Sequence, residues 1–405
     1  MTDIPVDECQ GGVTAPRGFL AAGMYCGIRK AKKDLAMIVS EVPATVAGVF
    51  TLNRAQAAPI IVDKEQLKRS SVCSALVVNS GNANACTGER GLNDAWDTVR
   101  AVAEVLNVPG EQVMVSSTGV IGQYLPMEKI LAGVKELAGK LDRSGNKDVA
   151  EAIMTTDTRP KEVAVKFTLG SNVVSIGGVA KGSGMIAPNM ATMLAFVTTD
   201  VVIWQPLLSK ALKAATNRSF NRITVDGDMS TNDQVLVLAN GLARNQAFGE
   251  NSEEYHLFCA ALEYVLIKLA KMIARDGEGA TKLIEVLVKG ARSEEEAVQA
   301  ANAVANSNLV KTAIHGADAN WGRVLAALGY SGIEFNPDEV EISFNDLPIL
   351  KRNYEIVLDE ESAKQTLSRD TVVISIDLNQ GGQAARFWTC DLTKEYVHIN
   401  ASYRS

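Results

Sequence analysis

The chain has 405 residues, 47% of them hydrophobic and 21% charged, the balance of a globular protein long enough for two or three domains. Its formal net charge of −7 argues against nucleic acid or an anionic membrane surface as a partner. Its six cysteines lie far apart without a C-x-x-C pair, and its three histidines stand alone. Neither a disulfide framework nor a zinc site is signalled, and an enzyme built on this chain is expected to work without a metal or a histidine base.

Met1 to Glu8 carries acidic residues and neither a basic nor an apolar run, so no leader is expected, and the chain reads as cytoplasmic. No apolar run reaches membrane-spanning length. Plentiful glycine and few aromatics fit an α/β protein with many tight turns. Leu35–Val39 and Val46–Phe50 predict short strands broken by Pro43. Ala75–Val78 predicts another, opening into the small, polar stretch Asn79 to Gly88, where backbone can approach a ligand. Leu92, Ala95, Trp96, Val99, Val102 and Leu106 mark one helix, and Met127, Ile130, Val134 and Leu137 a second. Between them Val113–Val115 predicts a strand ending in Ser116-Ser117-Thr118-Gly119.

Thr155-Thr156-Asp157-Thr158 makes a hydroxyl-rich turn closed by Pro160. Val163, Val165 and Phe167 alternate with polar neighbours and predict a hairpin that turns at Gly170-Ser171 and returns through Val173–Ile176. Further on, a helix from Trp204 to Thr216, strands near Ile223 and Val235, and a long helix from Glu253 to Arg275 are expected. Arg275-Asp276-Gly277-Glu278-Gly279 stops that helix, with Glu278 either a solvated acid or one pointing into a pocket. From about Ile284 a smaller α/β domain is expected, so the domains read as 1–283 and 284–405. Ser293-x-x-Glu296 is a capping box opening its first helix. Strands are predicted at Val340–Phe344, Tyr354–Leu358, Val372–Leu378 and Tyr396–Asn400.

The stretch from Lys181 to Phe196 supports two readings. In one, Gly182 and Gly184 make a loop, Lys181 is solvated and Thr192 is a β-branched strand residue. In the other, Thr192 is a nucleophile activated by its own free amine, which requires the chain to be cut in front of it. A phosphate loop is excluded, because the lysine precedes the last glycines. Asp226-Gly227-Asp228 begins like a calcium loop but lacks the sixth-place glycine and the final glutamate, so a tight polar turn is expected.

Taken together, Gly11 to Phe19, Asn79 to Ala85, Ser116 to Gly122, Thr155 to Thr158, Lys181 to Leu194 and Ile399 to Arg404 resemble, in order, the ornithine acetyltransferase (glutamate N-acetyltransferase) family of arginine biosynthesis. That resemblance implies a layered α/β/β/α sandwich with a smaller C-terminal α/β domain, self-cleaved between Ala191 and Thr192 into chains that assemble as α2β2. It implies Thr192 as nucleophile, Thr118 and Gly119 as the oxyanion hole, and Thr155, Lys181, Thr192, Glu278, Asn400 and Ser405 as substrate contacts. Many relatives end in threonine where this chain has Ser405, which keeps a hydroxyl. The implied substrates are N-acetylornithine and glutamate, with no cofactor and acetyl-CoA as an optional second donor. A self-cleaving aminopeptidase or amidase, and a non-catalytic module that holds an anion in its Gly-rich loop, remain as alternatives.

Overall fold

The computed structural model describes residues 5–187 and 193–402. Stretches rich in Val, Ile, Leu and Ala form nine strands: β1 (Asp7–Cys9), β2 (Phe19–Met24), β3 (Leu35–Phe50), β4 (Val72–Asn82), β5 (Val113–Val120), β6 (Lys161–Leu169), β7 (Asn172–Lys181), β8 (Leu194–Thr199) and β9 (Gln234–Ala239). They lie in the order β1-β6-β7-β8-β9-β3-β4-β5, with β2 on β3. The accompanying helices are α1 (Ala58–Arg69), α2 (Gly88–Leu106), α3 (Met127–Ala138), α4 (Asn146–Ala152), α5 (Gln205–Arg218) and α6 (Glu253–Arg275).

Strand β3 decides the shape. Its first half pairs with β2 and β4, its second half with β9, and the register on β4 shifts between Val39 and Ala44. Pro43 lies in that gap and has no N–H for a ladder, so what the sequence predicts as two strands is one strand with a bulge. Alternation along the flanking strands shows the outcome. Leu76 and Val78 of β4 share a core with Phe196 of β8 and with Leu236 and Leu238 of β9. Their neighbours face outward, Ala75 and Val77 onto α2 and α3, and Val235 and Val237 onto α5 and α6. The layers are therefore helix, sheet, sheet, helix, as the resemblance implied.

A second sheet, β13-β12-β11-β14-β10-β15, is built from β10 (Leu283–Ala291), β11 (Glu341–Phe344), β12 (Leu347–Lys351), β13 (Glu355–Ile356), β14 (Thr371–Asp377) and β15 (Gln383–Cys390). With α7 (Glu294–Asn306), α8 (Asn308–His315), α9 (Trp321–Gly329) and α10 (Glu360–Leu367) it encloses its own core. Ser293 caps α7 as predicted, its Oγ accepting the Glu296 N–H at 3.2 Å. Several elements, among them α1 and β15, have no counterpart in the sequence reading, and Ile223 makes only an isolated bridge to Trp388.

The expected strand at Tyr396–Asn400 is instead helix α11 (Lys394–Ser402). Its β-branched and aromatic residues favour a strand locally, but none of the nine is buried and no sheet edge receives them. Thr393 Oγ1 accepts the Glu395 N–H and Asn400 Nδ2 reaches back to the Tyr396 carbonyl, contacts that suit a helix. Among the described residues no helix is long and apolar enough to cross a membrane.

Trp388 of β15 reaches into the core beneath α5 and α6; its indole N–H donates to its cross-strand neighbour Glu285 Oε2 at 2.9 Å and its carbonyl accepts the Thr224 N–H at 3.0 Å. Lys271 of α6 pairs with the same Glu285 carboxylate at 3.1 Å. Substituting Glu285→Ala strands the buried indole N–H, an expected loss of about 1–3 kcal/mol. Guanidinium unfolding measures it, and an unchanged midpoint would show that the contact carries no weight.

Candidate active site

Element ends converge on a cleft of about 190 Å³. Thr118 and Gly119 come from the end of β5, Lys181 from the last position of β7, Thr155 and Thr156 from the turn after α4, Glu278 from the turn after α6, and Tyr396 and Asn400 from α11. Close packing at the strand ends depends on two glycines. Gly119, opposite Gly81 in the β4–β5 register, has φ +134°, and a Cβ there would fall 2.3 Å from the Gly81 carbonyl carbon. A Cβ on Gly184 would fall 2.4 Å from the Glu278 carboxyl carbon, so its absence admits that side chain to the cleft.

Behind the cleft lies a buried ion triad. Lys161 Nζ is 2.6 Å from both Asp157 Oδ1 and Asp276 Oδ2, with side chains 1%, 0% and 2% exposed. Asp157 also accepts the Gly182 N–H at 2.8 Å and the Thr155 N–H at 3.0 Å. Asp276 accepts the Thr158 N–H at 3.1 Å, and its carbonyl takes the Ser183 hydroxyl at 2.6 Å. The Glu278 N–H in turn donates to the Ser183 carbonyl. Burial pushes the Asp157 carboxyl up, but Lys161 and Lys181 outweigh it and hold the group at about 2.

Lys181 is itself buried, with Nζ 3.2 Å from Thr118 Oγ1. Burial pulls its pKa below the ordinary lysine value; Asp157 opposes this and Lys161 adds to it. Thr118 accepts from that amine, which leaves its own hydroxyl proton free to donate into the cleft. The opposite wall is acidic. Glu278 accepts from Asn400 Nδ2 at 2.7 Å, and Asp226 accepts from the Met185 and Ile186 N–H groups at 2.6 and 2.8 Å and from the Tyr396 hydroxyl at 3.3 Å. Burial pushes Asp226 up, and burial together with Asp226 pushes the Tyr396 hydroxyl up. One buried amine facing several carboxylates suits a small ligand that carries both a carboxylate and an amine.

Of the residues singled out by sequence, Thr118, Gly119, Thr155, Lys181, Glu278 and Asn400 line this one cleft. Ala191, Thr192 and Ser405 lie outside the described residues. The next residue, Met193, donates its N–H to Asp233 Oδ1 at 2.8 Å. The sequence reading passes over Asp226, Asp228, Ser230 and Asn232, which line the same cleft, because it treats them as a polar turn. It also passes over Lys161, although a lysine in phase with Val163, Val165 and Phe167 is a signal of burial.

Residues 20–405 match the model of the ArgJ family. The "Arginine biosynthesis bifunctional protein ArgJ" of Symbiobacterium thermophilum is 53% identical over 398 residues, covering 98% of this chain and 99% of that one. Its Bacillus subtilis namesake is 49% identical over 405 residues, covering 100% of this chain and 99% of that one. A crystal structure of the protein of the same name from Bacillus halodurans, 45% identical, covers 46% of this chain and 98% of that chain with a TM-score of 0.44.

Asp157 sits at about 2 against an ordinary 3.8, so its ionised form contributes stability that is complete above about pH 4 and lost as the pH falls through its folded value. Lys161→Met removes the close partner that two buried carboxylates share, leaving Asp276 with Arg159 at 3.7 Å and Asp157 with the attraction of Lys181, an expected cost of about 3–5 kcal/mol at neutral pH. The gap to wild type should narrow as acid protonates Asp157 in both proteins. Thermal melts by circular dichroism across that range check both statements, and equal melts at neutral pH would overturn them.

Proposed function

The chain belongs to the ArgJ family, and from that premise we propose that it transfers the acetyl group of N-acetylornithine to glutamate, through an acetyl ester on Thr192, in arginine biosynthesis. The supporting observation is the meeting of Thr118, Gly119, Lys181, Glu278 and Asn400 around one cleft, with the described residues Met185 and Met193 anchored on either side of the proposed junction by Asp226 and Asp233.

In this reading Thr192 Oγ first attacks the Ala191 carbonyl, and water opens the resulting ester. The freed Thr192 amine, with an ordinary pKa of about 8, then serves as base for the same hydroxyl. Thr192 Oγ attacks the acetyl carbonyl of N-acetylornithine, and the oxyanion takes hydrogen bonds at Thr118 and Gly119, each donor worth about 3 kcal/mol of barrier. Lys181 receives the α-carboxylate that both amino acids share. Glu278 pairs with the side-chain ammonium of ornithine, and Thr155, Asn400 and Ser405 complete the contacts. Ornithine leaves, and the amine of glutamate takes the acetyl group. Acetyl-CoA is an optional second donor, no metal or cofactor takes part, and the cut chains work as α2β2 in the cytoplasm.

The experiment pairs wild type with Thr192→Ala. Wild type should run on a denaturing gel as two fragments of similar size, carry one acetyl group on the fragment that begins at Thr192 when given N-acetylornithine alone, and show ping-pong kinetics with glutamate. The variant should stay at 43.2 kDa and form no N-acetylglutamate. Sequential kinetics with no acetylated fragment would overturn the reading, and release of free acetate in place of transfer would make the protein a hydrolase.

A further inference from the structure

The two amino acids of the proposed exchange are alike at the α-carbon and opposite at the far end, where ornithine carries an ammonium and glutamate a carboxylate. Glu278 answers the ammonium. A carboxylate brought to the same place meets a wall of acids, Glu278, Asp226 and Asp228, and is repelled unless hydrogen-bond donors reach it. Helix α11 brings two donors to this wall, the Asn400 amide and the Tyr396 hydroxyl, four residues apart and so on one face of the helix.

These two donors are committed to different degrees. The Asn400 Nδ2 group has two hydrogens and two acceptors, Glu278 Oε2 at 2.7 Å and the Tyr396 carbonyl at 3.0 Å, so neither hydrogen is spare. The Tyr396 hydroxyl makes one long bond, 3.3 Å to Asp226 Oδ2. Asp226 does not depend on it. Backbone N–H groups of Met185 and Ile186 already reach its two oxygens at 2.6 and 2.8 Å, and the Asp228 N–H adds a third bond at 3.3 Å. Burial first, then Asp226 and Glu278, push the Tyr396 pKa up, so the phenol keeps its proton and acts as a donor. Tyr396 is half-buried on a helix that buries none of its residues, so no core packing holds the hydroxyl to its present acceptor.

A role in acceptor choice rests on that acetyl transfer taking place, and within it we propose that Tyr396 is a specificity-determining residue for glutamate, its O–H turning from Asp226 to the side-chain carboxylate of glutamate. Glu278 then serves ornithine and Tyr396 serves glutamate in one cleft.

A choice between acceptors tests this. The full-length protein is given N-acetylornithine together with labelled glutamate and labelled ornithine, and label entering N-acetylglutamate and N-acetylornithine is counted. Both acceptors draw on the same acetylated enzyme, so the ratio of their kcat/KM values reports acceptor recognition alone. Tyr396→Phe keeps the ring and removes the hydroxyl, and should lower the glutamate-to-ornithine ratio about tenfold or more, the size expected of a lost hydrogen bond to a charged group. Glu278→Gln should raise the same ratio, since it removes the partner of ornithine and a charge that repels glutamate. An unchanged ratio in either variant would overturn the proposal. So would a phenylalanine variant in which both acceptors slow alike, since that is a disturbed helix and not a lost donor. Wild-type protein that labels neither product would instead overturn the acetyl-transfer reading, which keeps the two failures apart.

Discussion

The buried ammonium of Lys161 is the constraint from which the cleft is hung. Taking three charged groups out of water costs several kcal/mol for each ion, and their mutual attraction offsets this only if the geometry is tight and the remaining lone pairs are filled. Here they are filled, by backbone N–H groups of Thr155, Thr158 and Gly182. Those donors belong to segments that also carry cleft residues, and the Asp276 carbonyl adds the segment of Ser183. A network of this kind is worth having only when complete, because a missing member leaves an unpaired charge in a poor dielectric. The segments holding Thr155, Lys181 and Glu278 therefore have little freedom to move independently.

The layered fold explains why such a network can sit beside a cleft at all. The ends of β5 and β7 and the starts of β8 and β9 meet at the same place because β3 bends from one half of the sheet into the other. Asn232 ties the halves at that point, its amide donating to the carbonyls of Ala83 and Ser117 at 2.7 and 2.8 Å. Helix α11 then closes one wall through Tyr396 and Asn400, although it contributes nothing to either core.

Local pattern carried much of this architecture. The hairpin of β6 and β7 and the helices α2 and α6 follow from apolar period and turn residues, and α7 from its cap. What local pattern could not carry is whatever depends on a distant partner. Tyr396 to Asn400 favours a strand on its own but forms a helix, held by the Thr393 cap and by contacts of Tyr396 and Asn400 with Asp226 and Glu278 far away in the chain. Asp226 to Asp233 looks like a polar turn because its partners, at Met185, Ile186 and Met193, are about forty residues away along the chain. Lys161 and Asp233 did leave a trace, each sitting in phase with buried valines. The assignment to a chemistry, and to a layered sandwich, came from motif blocks in a fixed order, and periodicity alone would have stopped at an α/β protein.

The strand order also bears on how the molecule returns from the unfolded state. β7 and β8 flank the interval 187–193 and pair at six positions, and β3 pairs with β9 at six more. An intact chain brings these partners together in a unimolecular search whose cost grows only slowly with loop length. A chain interrupted in that interval keeps every one of those pairs while folded, but once separated its pieces must find each other by collision, and recovery becomes dependent on concentration. Persistence would then rest on the height of the unfolding barrier, with no reversible balance to restore what is lost.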